Sequence, residues 1–168
     1  MISYFTDGSA SPNPGPGGFA VIKNGIPYLI GGEPENSEIS RNNTTNIRME
    51  GFALLAAFDD FLQNHSENEN HSEKINCEIT TDSEFWVNVL TKWAQTWQKN
   101  NWQKKGGIKN LDIVKPLFES WLTAQKNDAK LIWTRAHVGT EMNELADNWA
   151  NEARKRKVVG VQKINSAD

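Results

Sequence analysis

The chain has 168 residues, of which 38% are hydrophobic and seven are tryptophan, and its formal net charge is −3. This length and composition indicate one folded domain with a substantial core, and they exclude an intrinsically disordered chain. No apolar run approaches the length of a membrane span, the first residues lack a signal-peptide pattern, and the single cysteine, Cys77, excludes an internal disulfide and a multi-cysteine zinc site. We therefore expect a protein of the reducing cytoplasm.

The first half of the chain is predicted to contain three antiparallel strands followed by a helix. Residues 2–6, 19–23 and 28–32 have the composition of strands, and the dipeptide Asn24-Gly25 predicts a tight turn between the last two. Apolar residues at helical spacing then run from Asn46, which we interpret as the N-cap, to about residue 64. The polar segment 65–74 is predicted to be a solvated loop that exposes His65 and His71.

The second half alternates strands and helices. A strand is predicted over 76–81, and a helix begins at Ser83 and continues into a Trp- and Lys-rich stretch that Gly106-Gly107 ends. A helix over 110–125, a strand over 130–134 and a final helix from residue 140 or 141 complete the pattern. The order βββαβααβα predicts an α/β domain with a mixed sheet and helices on its faces.

Three acidic residues lie at positions where α/β proteins place their sites. Asp7 ends the first strand, Asp82 ends the strand 76–81, and Glu50 lies in the first turn of the helix after the third strand. Taken singly, each has a structural explanation: a turn residue, an N-cap, and a carboxylate favoured by the helix dipole. Taken together, three converging carboxylates would repel one another, and a divalent cation relieves that repulsion. Oxygen ligands favour Mg²⁺ or Mn²⁺ over Zn²⁺.

The C-terminal stretch adds two candidates. His137 follows the last strand in a loop that contains glycine, and Asp147 lies ten residues later on the final helix. A lone loop histidine is usually only solvent-exposed, but beside a metal site it can shuttle protons because it titrates near neutrality.

The Trp- and Lys-rich stretch supports two interpretations. Residues 92–111 contain five lysines and no acidic residue, and Trp93, Trp97 and Trp102 lie among them. Lysines neutralise phosphates and indole rings stack on sugars or bases, which would suit nucleic acid. The more common alternative is a helix that buries its tryptophans and solvates its lysines.

The residues resemble type 1 ribonuclease H over residues 1–154. Four motifs carry the resemblance, in the family's order and spacing: T-D-G-S with N-P-G-P-G-G (6–9 and 13–18), T-N-I-R-M-E (45–50), T-D-S (81–83) and H-V-G-T-E-M-N-E-L-A-D (137–147). The resemblance implies a ribonuclease H-like fold with a five-stranded mixed sheet, three antiparallel strands then two parallel, flanked by helices and carrying a short Trp/Lys-rich handle. It also implies an endonuclease that cuts the RNA strand of RNA–DNA hybrids without sequence preference, using two Mg²⁺ ions, with Mn²⁺ as a substitute, and leaving 5′-phosphate and 3′-hydroxyl ends.

The resemblance also assigns roles to individual residues. The metal-binding carboxylates would be Asp7, Glu50, Asp82 and Asp147. His137 would assist proton transfer or product departure. The residues that bind the hybrid would be Asn13 and Asn46 in the minor groove, Thr45 and Asn110 around a DNA phosphate, Trp93 on the DNA strand, and Lys99, Lys104 and Lys105 on the handle.

Other interpretations remain open. The same fold could serve as a non-catalytic hybrid- or RNA-binding module, although clustered carboxylates facing phosphates would not help a binder. The chain could also correspond to the ribonuclease H part of a reverse transcriptase, or to a viral or mobile-element enzyme. We expect a monomer with no membrane association and no obligate protein partner. Its ribonuclease H domain is expected over residues 1–154, followed by a basic tail over 155–168 that is partly disordered.

Overall fold

The computed structural model describes residues 1–65, 75–135 and 141–165. The strands are β1 (Ile2–Ala10), β2 (Gly17–Lys23), β3 (Ile26–Gly31), β4 (Cys77–Thr81), β5 (Ala129–Trp133) and β6 (Val161–Lys163). The helices are α1 (Asn46–His65), α2 (Glu84–Asn88), α3 (Ala94–Lys99), α4 (Leu111–Lys126) and α5 (Glu141–Lys155), with a π-helical segment, Val89–Trp93, between α2 and α3. None of the helices in these ranges is long and apolar enough to span a membrane.

The strands form one mixed sheet in the order β5-β4-β1-β2-β3-β6, which confirms the α/β prediction. β1, β2 and β3 are antiparallel, and β4 and β5 run parallel to β1. The predicted number of strands was wrong, because β6 from the C-terminal tail pairs with β3 and makes a sixth. β6 has only three residues, all exposed, so no alternation of buried and exposed positions marked it in the sequence.

The sheet is covered on both faces. The larger core lies between the sheet and α1 and α4, and it includes Tyr4, Phe58, Ile79 and Leu117. A smaller core lies beneath α5, where small residues such as Ala150 let the helix approach the sheet closely. Side chains that alternate along β1 therefore face α1 and α5 in turn.

The start of α1 differs from the prediction. The Thr45 hydroxyl oxygen accepts a hydrogen bond from the Arg48 backbone N–H at 3.1 Å, so Thr45 is the capping residue. Asn46 is the first residue of the helix, and its Oδ1 accepts from the Ala10 backbone N–H at 2.7 Å instead. Both residue types cap helices well, so the sequence alone favoured neither strongly.

The end of α1 also differs from the prediction. His65 is the last residue of the helix and stacks on Phe61, with 6.2 Å between the ring centroids, so its assignment to an exposed loop was wrong. His71 and the rest of segment 66–74 lie outside the described residues.

A buried carboxylate joins α1 to the first three strands. Asp60 accepts hydrogen bonds from the hydroxyls of Tyr4 (2.6 Å) and Tyr28 (2.8 Å), from Lys23 Nζ (2.7 Å) and from Asn64 Nδ2 (2.7 Å). Burial opposes ionisation of Asp60, but the hydrogen bonds from Lys23 and the two tyrosines outweigh it and lower the pKa of the carboxyl. This network fixes the helix on the sheet.

Candidate active site

The parallel pairing of β1 with β4 brings two aspartates together. Tyr4 pairs with Ile79 and Phe5 with Thr80, and the same register continued by two residues places Asp7 beside Asp82. Asp82 directly follows β4, but Asp7 lies within β1, which continues to Ala10, so the prediction that Asp7 ends the first strand was wrong. Both residues nevertheless lie just beyond the carboxyl end of the parallel β1–β4 pairing, the edge at which α/β folds form their sites. The Gly8 backbone N–H donates to Asp7 Oδ1 at 2.9 Å and helps to fix the orientation of this carboxylate.

Glu50 reaches the same point because α1 approaches β1 very closely. A Cβ atom on Gly8 would lie 2.3 Å from the Met49 carbonyl carbon and 2.5 Å from the Glu50 backbone nitrogen. Only glycine leaves room for this contact. The start of α1 therefore lies directly against the residue that follows Asp7, and Glu50 joins the two aspartates. Glu50 is the fifth residue of α1, so the prediction that it lies in the first turn was wrong.

The three carboxylates form one compact cluster. Asp7, Glu50 and Asp82 each present an oxygen atom, and these atoms all lie within 4.8 Å of one another. Burial, followed by the charge of Asp82, raises the pKa of Asp7 to about 8. The same two causes raise the pKa of Glu50 to about 7, against a hydrogen bond with Ser83 that lowers it. The protein alone therefore does not fully stabilise the ionised forms of Asp7 and Glu50.

This cluster fits a divalent cation. Its donors are carboxylate oxygens, which Mg²⁺ and Mn²⁺ prefer, and their spacing lets a single ion contact more than one of them. The raised pKa values of Asp7 and Glu50 point the same way, since a bound cation would favour the ionised forms.

Asp147 approaches the cluster from the opposite face of the sheet. α5 packs tightly on β2, where a Cβ on Gly18 would lie 2.4 Å from the Arg154 backbone nitrogen. Ser9 faces α5 and its hydroxyl donates to Asn151 Oδ1 at 3.4 Å, so Asp7, two residues earlier on β1, faces the same helix. The charge of Asp147 contributes to the raised pKa of Asp7, but Asp147 is not one of the three residues whose oxygens lie within 4.8 Å.

The position of His137 is a prediction that the structure leaves untested, because residues 136–140 lie outside the described ranges.

Two predicted minor-groove residues are joined to each other. The Asn46 backbone N–H donates to Asn13 Oδ1 at 3.1 Å, while Asn46 Oδ1 accepts from the Ala10 N–H. Gly15 and Thr44 exchange backbone hydrogen bonds of 2.9 Å nearby, so the turn after β1 is tied to the segment before α1. Both asparagine oxygens are engaged within the protein, and the amide nitrogens therefore point the other way.

Next to this surface lies a groove of about 690 Å³ lined by aromatic and basic side chains. Trp93, which is 41% exposed, forms one wall with Trp97, their ring centroids 6.2 Å apart. Lys104 and Lys105 line the groove, and Lys104 Nζ lies 5.5 Å from the centre of the Trp97 ring. Lys99, at the end of α3, does not line it. Trp102 packs on Phe118, as the structural interpretation of this stretch expects, while Trp93 stays accessible to a ligand.

Beside the predicted phosphate site lies a charged network that the sequence did not reveal. Arg48, which is 4% exposed, pairs with Glu33, which is 1% exposed, and with Asp112, and it also contacts Asn110. The sequence did contain one signal for this network: Arg48 stands next to Met49 on the buried side of a helix. A buried arginine requires a charged partner. The partners lie 15 and 64 residues away in sequence, so they could not be identified without the fold.

The fold and the site together are those of an α/β protein with clustered carboxylates and a groove of aromatic rings and lysines, an arrangement that suits a nuclease. Residues 1–155 match the RNase H family, and the chain belongs to that family. The ribonuclease H of Granulibacter bethesdensis is 33% identical over 159 residues, which cover 92% of each chain. That of Orientia tsutsugamushi is 35% identical over 156 residues, covering 91% of this chain and 82% of the relative. The chain is therefore a ribonuclease H enzyme, as its motifs predicted.

Solved structures show the same fold. LC9-RNase H1, described as a type 1 RNase H with the type 2 active-site motif, superposes with a TM-score of 0.67 at 22% identity, covering 98% of this chain and 77% of that one. LC11-RNase H1 in complex with an RNA/DNA hybrid gives a TM-score of 0.57 at 23% identity, covering 93% of this chain and 98% of that one.

Proposed function

We propose that this enzyme hydrolyses the RNA strand of RNA–DNA hybrids, without sequence preference, using two Mg²⁺ ions and leaving 5′-phosphate and 3′-hydroxyl ends. The observation that carries the proposal is the cluster of Asp7, Glu50 and Asp82 in a member of the RNase H family. The hybrid bound to LC11-RNase H1 supports the substrate class. Mn²⁺ is the expected substitute for Mg²⁺, because it accepts the same oxygen ligands.

In this proposal four carboxylates would bind the cations. Asp7, Glu50 and Asp82 would hold the cations, with Asp147 assisting from α5. When bound, the cations polarise the scissile phosphate, lower the pKa of a water molecule and stabilise the leaving 3′-oxygen. The hydrogen bonds from Gly8 to Asp7 and between Ser83 and Glu50 orient two of the carboxylates before substrate arrives. His137 is proposed to move a proton to or from the departing product.

The proposed selectivity for hybrids rests on short polar side chains. Asn13 and Asn46 have their oxygens engaged inside the protein, so they present amide nitrogens as donors. The minor groove offers acceptors at the base edges and at the 2′-hydroxyl, which distinguishes RNA from DNA. Trp93 would stack against the DNA strand, and Lys104 and Lys105 would neutralise its phosphates.

We further propose that residues 1–154 carry the activity and that the enzyme acts as a monomer. The remaining residues would serve as an appendage, in which β6 completes the edge of the sheet beside β3. Arg41 supports this role, because its guanidinium donates to the Lys157 carbonyl at 2.8 Å and ties the segment before α1 to the tail.

A single cleavage assay tests the central proposal. The enzyme is incubated with end-labelled RNA–DNA hybrid, double-stranded RNA or single-stranded RNA, each with Mg²⁺, Mn²⁺ or EDTA. We expect cleavage of the hybrid's RNA strand alone, dependent on the cation. Binding of the hybrid without cleavage would instead identify a non-catalytic binding module, and cleavage in EDTA would refute the metal assignment.

A further inference from the structure

We propose that Arg48 is a positioning residue whose guanidinium turns the Asn110 amide so that it presents a hydrogen-bond donor to a DNA phosphate, beside the hydroxyl of Thr45. This inference rests on the proposed function and on the roles that the family resemblance gives to Asn110 and Thr45 around a DNA phosphate. It adds a residue that acts through them and does not itself touch the substrate.

Arg48 has no donor left for a ligand. A guanidinium carries five N–H groups. Nε and Nη2 donate to the two oxygens of Glu33, both at 2.9 Å, and Nη2 and Nη1 donate to the two oxygens of Asp112 at 2.7 and 3.0 Å. The fifth hydrogen bond, from Nη1 to Asn110 Oδ1, is 3.2 Å long. With two carboxylates around one cation, Arg48 also offers a phosphate no net positive charge.

The hydrogen bond from Arg48 determines which way the Asn110 amide faces. The amide has one acceptor and one donor end, and a guanidinium can only donate, so the oxygen must face Arg48. The Nδ2 amino group is therefore turned away from the guanidinium. Asn110 lines the groove that also contains Lys104 and Lys105, so its amino group is available on a surface suited to anions. Its left-handed backbone, with φ 59°, sets the side chain at the entrance to α4.

A backbone hydrogen bond, which does not depend on the Arg48 side chain, does the same for Thr45. The Arg48 N–H donates to the Thr45 hydroxyl oxygen at 3.1 Å, which occupies that oxygen as an acceptor. The hydroxyl proton is then left to donate to another group. Asn110 and Thr45 thus each turn an acceptor toward Arg48 and keep a donor for the ligand, which suits phosphate oxygens because they only accept.

Glu33 keeps the guanidinium in this orientation. Its carboxylate also accepts from the hydroxyls of Thr44 at 2.6 Å and Ser37 at 2.7 Å, so it is fixed by four hydrogen bonds in the segment between β3 and α1. Glu33 binds the Nε–Nη2 edge of the guanidinium and Asp112 binds the adjacent Nη1–Nη2 edge, so two bidentate contacts hold this planar group against rotation. Arg48 thereby joins the start of α1 to the start of α4, the two elements that carry Thr45 and Asn110.

The test is a double-mutant cycle on hybrid cleavage with Arg48→Lys, Asn110→Ala and both together. Lysine keeps the charge but lacks the fork that reaches Asn110 while holding Glu33. We expect each single variant to raise KM roughly 10-fold, about the factor for one hydrogen bond to a charged group, and to change kcat little. The double variant should be no worse than Asn110→Ala alone. Multiplying effects, or a fall in kcat without a change in KM, would overturn the inference.

A modified substrate isolates the phosphate itself. In hybrids whose DNA strand carries one neutral methylphosphonate at successive positions, the wild-type enzyme should show one position at which neutralisation raises KM. That position should lose its effect in both Arg48→Lys and Asn110→Ala. Retention of the effect in Arg48→Lys would refute the positioning role while leaving the proposed function intact, and failure of the wild type to cut hybrids would overturn both.

A second variant keeps the test valid if Arg48→Lys does not fold. Asn110→Asp retains the oxygen that faces Arg48 but turns an anionic acceptor toward the phosphate. We expect the variant to fold, because the oxygen that accepts from Arg48 is retained, and to have a KM above that of Asn110→Ala. A KM equal to or below that of Asn110→Ala would contradict a fixed amide. Arg156→Lys, at an exposed pair with Glu152, is the matched control and should leave KM unchanged.

Discussion

The substitution Asp7→Asn is expected to abolish cleavage and, in the absence of divalent cations, to make the protein more stable. Asp7, Glu50 and Asp82 present oxygens within 4.8 Å of one another. At an effective dielectric constant of about 20, two unit charges at that separation repel each other by about 3.5 kcal/mol. Partial protonation relieves some of this repulsion, because burial and the charge of Asp82 raise the pKa of Asp7 to about 8. We therefore expect a gain of about 1–3 kcal/mol in the free energy of unfolding.

The gain should depend on pH in a defined direction. The pKa of Asp7 is 3.8 in the unfolded reference and about 8 in the folded protein, so the folded state binds more protons between these values. Stability of the wild type in EDTA then falls as pH rises from about 4 to about 8, and Asp7→Asn removes this loss. The difference between the two proteins should be small near pH 4 and largest above pH 8.

Urea unfolding followed by tryptophan fluorescence, at both pH values in EDTA, measures this difference. Repeating it with Mg²⁺ should stabilise the wild type by mass action and stabilise Asp7→Asn much less. Glu119→Gln, at an exposed carboxylate on α4, is the matched control and should change stability by less than about 0.5 kcal/mol. An Asp7→Asn protein less stable than the wild type in EDTA at high pH would refute the reasoning.

Three further predictions concern other parts of the molecule. Asp60→Asn should lower the free energy of unfolding in urea by about 3–5 kcal/mol at pH 7, because it leaves the largely buried Lys23 without its carboxylate partner. Because the pKa of Asp60 is lowered, the wild type keeps this stability above about pH 4 and loses it in more acidic solution. Trp93→Ala should weaken hybrid binding by about 1–3 kcal/mol in a fluorescence titration with little change in melting temperature, because the ring is accessible in the groove. Replacing Lys104 and Lys105 with Ala should raise KM and flatten its salt dependence. Adding Lys99→Ala should have a smaller effect on KM and on its salt dependence, because Lys99 does not line the groove. An unchanged salt slope would mean that these lysines are only solvated surface.

The sequence predicted the cluster because each of its carboxylates has a local signature. Asp7 follows the apolar first half of β1, Asp82 follows β4, and Glu50 is the fifth residue of a strongly patterned helix. The parallel register of β1 and β4 then makes their meeting a consequence of the topology. The motifs around these positions predicted the family, and the match of residues 1–155 to the RNase H family confirmed it.

The network around Arg48 could not be predicted in the same way. Its members are Glu33 in a loop, Arg48 on α1 and Asp112 in the first turn of α4. They come together only because α4 packs against α1. No periodicity identifies Glu33 as buried, since it lies in a segment rich in polar residues and turns. The short strand β6 was missed for a related reason, because three exposed residues gain their structure only from the edge of β3.

The charges of this protein separate into two groups with different purposes. Asp60 and Asp112 have lowered pKa values because lysine, arginine and hydroxyl groups donate to them, and those networks fix one element on another. Asp7 and Glu50 have raised pKa values because the fold gathers carboxylates instead of cations around them. The fold thus neutralises its structural charges but leaves the carboxylates of the buried acidic cluster repelling one another. A bound cation would remove this repulsion. The exposed lysines of the groove are the opposite case, in which, under the proposed function, the phosphates of the substrate would supply the compensating charge.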